Sequence, residues 1–126
     1  MKSENVVILG ASPKPERYAY KAMKRLQEHG HKTLLVNPGL TTIENQSVYA
    51  SLKDLSAQSN EAIDTLTVYV KQDITLQVLP DILEMNPKRV IFNPGTENSK
   101  VASELSAAGI EVVEGCTLVM LSTKQF

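Results

Sequence analysis

Short apolar runs alternate with amphipathic stretches along the whole chain, and this order restricts the possible folds more than any other feature of the sequence. Val6-Val7-Ile8-Leu9 is continuous rather than alternating, so Asn5 to Gly10 reads as a strand covered on both faces. Ala19, Ala22, Met23 and Leu26 then recur at helical spacing, with Lys21, Lys24, Arg25 and Glu28 on the other side and Gly30 as the stop. Lys32 to Val36 gives a second strand, ended by Asn37-Pro38-Gly39, and the polar stretch Leu40 to Ser47 reads as a surface connection. Ser51 and Asp54 open a short helix carrying Leu52 and Leu55.

Asp64 to Val70 is the third expected strand, rich in Thr, Val and Leu. Ile74, Val78, Ile82 and Met85 mark a helix in which Pro80 demands either a kink or a start near that residue. Lys88 to Asn93, a helix from Glu97 to Ala108 and a fifth strand, Ile110 to Val113, complete the alternation. The expectation is one α/β domain over residues 1–126. It is a Rossmann-like, doubly wound fold with a mainly parallel five-stranded sheet and helices on both faces. Ligands in such sheets sit beyond the carboxyl ends of the strands, where the strand order reverses. That directs attention to Gly10, Asn37, Val70 and Asn93.

The first of these ends runs from strand to loop to helix, a junction that aims unpaired N–H groups and the positive end of a helix at one point and so favours phosphate. Ser12-Pro13-Lys14-Pro15 stands where a dinucleotide fingerprint would carry Gly-x-x-Gly, and no Walker lysine follows. Prolines stiffen the loop, Ser12 brings a hydroxyl, and Lys14 and Arg17 bring cations, of which Arg17 can grip two phosphate oxygens at once. The plainer alternative is a surface turn with solvated charges. No acidic or basic residue lies between Leu34 and Ile43, so the usual ribose contact of NAD and the usual phosphate contact of NADP are both missing. Asn37-Pro38-Gly39 is equally readable as a simple turn.

Val6 to Arg17, taken with Leu26-x-x-x-Gly30-His31 and Val36-Asn37-Pro38, resembles the small bacterial CoA-binding proteins, whose domain is similar to the CoA-binding Rossmann domain of the succinyl-CoA synthetase α subunit. The resemblance continues through Val48-Tyr49-x-Ser51-Leu52, Asp64, Asn93 to Asn98, Gly109 to Val113 and Cys116, covering nearly the whole chain. It implies that coenzyme A or an acyl-CoA is held by Gly10, Ala11, Ser12, Pro13, Lys14 and Arg17, with Arg17 as the main phosphate cation. Asn37 and Pro38 would line the nucleotide. Tyr69, Val70 and Lys71, with Asn93 and Thr96, would complete the cleft. Asn93-Pro94 and the apolar Leu118-Val119-Met120-Leu121 depart from the family pattern; the latter suits a covered core edge or a homo-oligomer contact.

No nucleophile motif or zinc spacing occurs, and the expected function is binding without catalysis. His29 and His31 flank Gly30 at the edge away from the ligand and read as capping or solvated side chains. Cys116 follows the fifth strand and reads as a small, partly buried thiol. A net charge of −1 and six aromatics give no support to nucleic-acid binding or an anionic membrane surface. The polar start, Met-Lys-Ser-Glu-Asn, does not resemble a signal peptide, and a cytoplasmic protein is expected. Two other readings are an NAD(P)-binding oxidoreductase or redox sensor, and an interaction subunit with no ligand.

Overall fold

The computed structural model describes residues 3–126; Met1 and Lys2, the first residues of the polar start, lie outside the described residues. The chain runs β1 (Asn5–Leu9), α1 (Tyr18–Glu28), β2 (Lys32–Val36), β3 (Thr42–Ile43), β4 (Gln46–Tyr49), α2 (Leu52–Gln58) and β5 (Thr65–Val68). It continues α3 (Gln72–Gln77), α4 (Leu79–Met85), β6 (Arg89–Phe92), α5 (Ser99–Ala107), β7 (Glu111–Glu114) and α6 (Thr117–Ser122). The strands form one sheet in the order β3-β4-β2-β1-β5-β6-β7, parallel except for the antiparallel β3–β4 pair.

Alternate residues of the central strand serve two cores, as strand geometry requires. Val7 and Leu9 join Leu52, Leu55, Ile82, Val101 and Leu105 on one face, whereas Val6 and Ile8 join Ala19, Met23 and Leu26 of α1 and Leu121 of α6 on the other. All four of Val6, Val7, Ile8 and Leu9 are buried, which is why the run is continuously apolar. Truncating a fully buried leucine such as Leu26 to alanine costs about 2–5 kcal/mol in a core of this kind.

The sheet has seven strands rather than five because the segment expected to be a surface connection folds into the β3–β4 hairpin. Glu44 and Asn45, both at positive φ (49° and 65°), make its two-residue turn. The helix expected around Pro80 divides at Val78 into α3 and α4, with Pro80 in the first turn of α4, where its missing N–H costs nothing. The third main helix starts two residues later than expected. Asn98 is its cap, accepting from Lys100 and Val101 N–H, and Glu97 instead accepts the Gly95 N–H at 2.9 Å. The apolar tail becomes α6, which packs Leu121 beside α1. No helix is long and apolar enough to cross a membrane among the described residues.

Candidate functional site

From β1 the chain crosses to β2 on one side and later returns to β5 on the other, so the strand order reverses between β1 and β5. Gly10 leaves β1 at that reversal with φ +94°, and a Cβ there would sit 2.9 Å from Val70 Cγ1 and 3.0 Å from the Tyr69 carbonyl oxygen. Glycine is therefore required twice, by the left-handed backbone and by the close approach of the β5 end. Val70 acts here as packing behind the turn.

The Gly10 and Ala11 N–H groups both donate to Val36 O, at 3.0 and 3.1 Å, and are taken out of the set available to a ligand. Ser12 Oγ accepts the Lys14 N–H at 3.2 Å, and Arg17 N–H donates to Lys14 O at 3.0 Å, closing the turn into α1. Arg17 is the cap residue of α1 but its side chain caps nothing, and the first turn holds no acidic residue. Among the described residues, the N–H groups of Tyr18, Ala19 and Tyr20 find no backbone or side-chain acceptor, and neither Lys14 nor Arg17 has a carboxylate partner. Unspent donors, the positive end of an eleven-residue helix and two free cations thus converge.

Around this point lies a cleft of about 770 Å³, within the span typical of small-molecule sites. Gly10, Ala11, Ser12, Pro13, Lys14 and Arg17 line it, as do Asn37, Tyr69 and Thr96. Pro38, Val70, Lys71 and Asn93 do not: Pro38 and Lys71 are exposed outside it, and the other two lie behind its wall. Glu16, Tyr18, Ala19, Gly39, Leu40 and Pro94 line it without having been picked out from the sequence. The one usable signal among them is Tyr18, an aromatic in the exposed first turn of a helix that opens beside a phosphate-type loop.

Asn37 is a fastener. Its Nδ2 donates to Ala11 O at 2.7 Å and its Oδ1 accepts the Gly39 N–H at 2.8 Å, tying the β2 end to the first loop. Asn93 is buried and fully engaged: Nδ2 donates to Thr67 Oγ1 at 2.7 Å and Val68 O at 2.9 Å, and Oδ1 accepts the Thr117 N–H at 2.9 Å. Thr96 donates its hydroxyl to Asn93 O at 2.7 Å, holding the β6 end in a turn. Burial pushes the Tyr69 phenol up to about 12, partly opposed by hydrogen bonds with Thr117 and Thr67, so near neutral pH Tyr69 stays protonated.

Cys116 precedes α6 and is half-buried outside the cleft. His29 caps α1, with Nδ1 2.8 Å from Arg25 O. His31 is not solvated as expected but buried at the amino edge of the sheet. The Glu4 N–H donates to its Nδ1 at 3.0 Å, and the ring leans on Phe126.

A family model described as a CoA binding domain matches residues 4–122. The chain belongs to the CoA-binding domain family. An uncharacterised protein whose crystal structure is known is 39% identical over the full length of both chains, with a TM-score of 0.87. A hypothetical protein from Pyrococcus horikoshii OT3 is 26% identical, with 98% of this chain and 84% of that one covered and a TM-score of 0.86. The uncharacterised protein YneT of Bacillus subtilis (strain 168) is 22% identical over 112 residues, 89% of this chain and 80% of that protein. Membership in the CoA-binding domain family agrees with the Rossmann-like architecture described above.

Proposed function

We propose that the cleft binds coenzyme A or an acyl-CoA and that the domain works as a binding module without chemistry of its own. One observation carries this reading: the first turn of α1 is uncapped, and Lys14 and Arg17 stand unpaired beside it. The pyrophosphate would take the Ser12, Tyr18 and Ala19 N–H groups, with Arg17 bridging its oxygens. The nucleotide end would lie toward Asn37, Gly39 and Leu40, and the pantetheine arm would pass Tyr69 toward Pro94 and Thr96.

The composition of the β2 end favours CoA over a nicotinamide dinucleotide. An NAD site normally presents a carboxylate there to the ribose hydroxyls, whereas Asn37 already gives one amide hydrogen to Ala11 and one oxygen lone pair to Gly39. CoA carries three phosphates, which suits a loop whose two cations form no ion pair among the described residues, neither with the neighbouring Glu16 nor with any other carboxylate. Isothermal titration with CoA, acetyl-CoA and NAD tests the reading. Saturable binding of CoA with no heat from NAD is expected; NAD binding more tightly than CoA, or no binding of either at millimolar ligand, overturns it.

A further inference from the structure

A second hollow lies outside the CoA cleft, between the outer faces of α1 and α6, with a volume of about 460 Å³. Its α6 wall is built from Leu118, Val119 and Ser122; Val119 is 55% exposed on the outer side of a helix whose Thr117 and Leu121 face inward. Its α1 wall carries Lys21, Lys24 and Arg25, and no acidic side chain lines it.

Two of these three cations are already committed. Lys24 pairs with Glu44 at 2.9 Å, and the Tyr20 hydroxyl donates to the same carboxylate; together these bonds hold Glu44 below the usual carboxylate range. Arg25 pairs with Glu28 at 3.4 Å. Lys21 has no carboxylate partner among the described residues; its ammonium stands over the Tyr18 ring, 5.3 Å from the centroid. The hollow therefore offers an apolar wall and one uncommitted positive charge. Apolar contact area beside a small number of placed polar groups is the usual composition of a small-molecule site; here Pro15, Tyr20, Leu118 and Val119 supply the first, and Lys21, Lys24, Arg25 and Ser122 the second.

We infer that the α1–α6 hollow binds a small apolar monocarboxylate, its hydrocarbon against Leu118 and Val119 and its carboxylate at Lys21. One free cation complements one negative charge, whereas a phosphate dianion would lack a second counter-charge here. The hollow adjoins the CoA cleft across a short ridge. Pro15 lines the hollow between Lys14 and Glu16 of the cleft, and the Tyr18 ring beneath Lys21 belongs to the cleft. A carboxylate bound at Lys21 therefore sits one helical turn from the seat assigned to the CoA phosphates.

Amide NMR titration of the intact protein with octanoate tests the inference, with acetate and octanol as the probes lacking the chain and the charge. Octanoate is expected to shift the Lys21, Leu118, Val119 and Ser122 amides saturably, and acetate and octanol to shift them several-fold more weakly. Val119→Asp should abolish the octanoate response, and Lys21→Glu should weaken it several-fold. Both side chains are exposed, so an unchanged urea-denaturation midpoint and an unperturbed amide spectrum away from the hollow show that each variant keeps the fold. Absence of saturable shifts, equal response to octanol, or retention of the response in both variants overturns the inference. Sedimentation of the wild type showing a dimer that Val119→Asp dissociates would also overturn it, by assigning the hollow to a second copy of the chain. Neither the octanoate response nor the denaturation control depends on CoA, so failure of the CoA reading would register separately.

Discussion

The two edges of the sheet spend their charges differently. At the amino edge, Arg89 donates to Thr65 Oγ1 at 3.1 Å, pairs with Glu4 at 3.4 Å and stacks over Phe126 at 4.5 Å. Asp64 accepts the Asn5 N–H at 2.8 Å and pairs with Lys88, and Lys32 pairs with Glu61. At the carboxyl edge, Lys14 and Arg17 have no such partner and the first turn of α1 keeps its donors. The same parallel sheet supports both edges, so the contrast arises from the loops. Charges neutralised within the fold hold it together, whereas charges left unspent at a helix start are available to an anion.

Substitutions should separate the two roles, and the largest effect is expected at Gly10. Gly10→Val forces a β-branched residue to φ +94° against Val70 and the Tyr69 carbonyl; urea denaturation should show a loss of about 3 kcal/mol, with CoA binding lost as well. Asn93→Ala strands the Thr117 N–H and removes one partner from Thr67, at a cost of about 1–3 kcal/mol. A neutral result there would move Asn93 from the framework back among the ligand contacts. Arg17→Ala should leave the denaturation midpoint unchanged and weaken CoA by roughly ten- to a hundredfold, the worth of one charge-assisted phosphate contact.

The amino edge also holds a buried polar atom, Nε2 of His31, with no hydrogen-bond partner among the described residues. Burial lowers the His31 pKa from its ordinary 6.5, outweighing the pull of Glu4 in the other direction. The unfolded chain therefore takes up the proton first. Stability is complete above about 6.5 and falls as pH drops through that value toward the lowered folded pKa, with a slope of at most about 1.4 kcal/mol per pH unit. Denaturation followed between neutral and mildly acidic pH should show this slope in the wild type and lose it in His31→Gln, whose side-chain oxygen can still accept the Glu4 N–H. The smallest effect is expected at Lys71, which is exposed outside the cleft: Lys71→Ala should change CoA affinity less than about twofold, as is usual for an unengaged surface charge.

Much of the fold was legible because its signals are one-dimensional. Val6 to Leu9 announces a doubly covered strand, Ala19 to Leu26 a one-sided helix, and Gly10 a turn before a helix. The β3–β4 hairpin was not, since Glu44-Asn45 lacks the glycine that usually marks a two-residue turn, and Glu44 is held there by Tyr20 and Lys24, distant in sequence. The loop from Gly10 to Arg17 was legible as a strand-to-helix turn carrying Lys14 and Arg17, but the residue types could not reveal that Val36 O consumes its first two N–H groups. At the other strand ends, position was legible and side-chain direction was not: Asn37 and Asn93 stand at the carboxyl edge, yet each spends its amide on the protein.

The contrast between the two edges turns on where an anion meets α1. Titrating the protein with CoA while following every backbone amide by NMR tests this most directly. The largest shifts are predicted at Ser12, Tyr18, Ala19 and Tyr20, with the amino edge around His31 and Arg89 unmoved. Saturable CoA binding that leaves the first turn of α1 unshifted would contradict it.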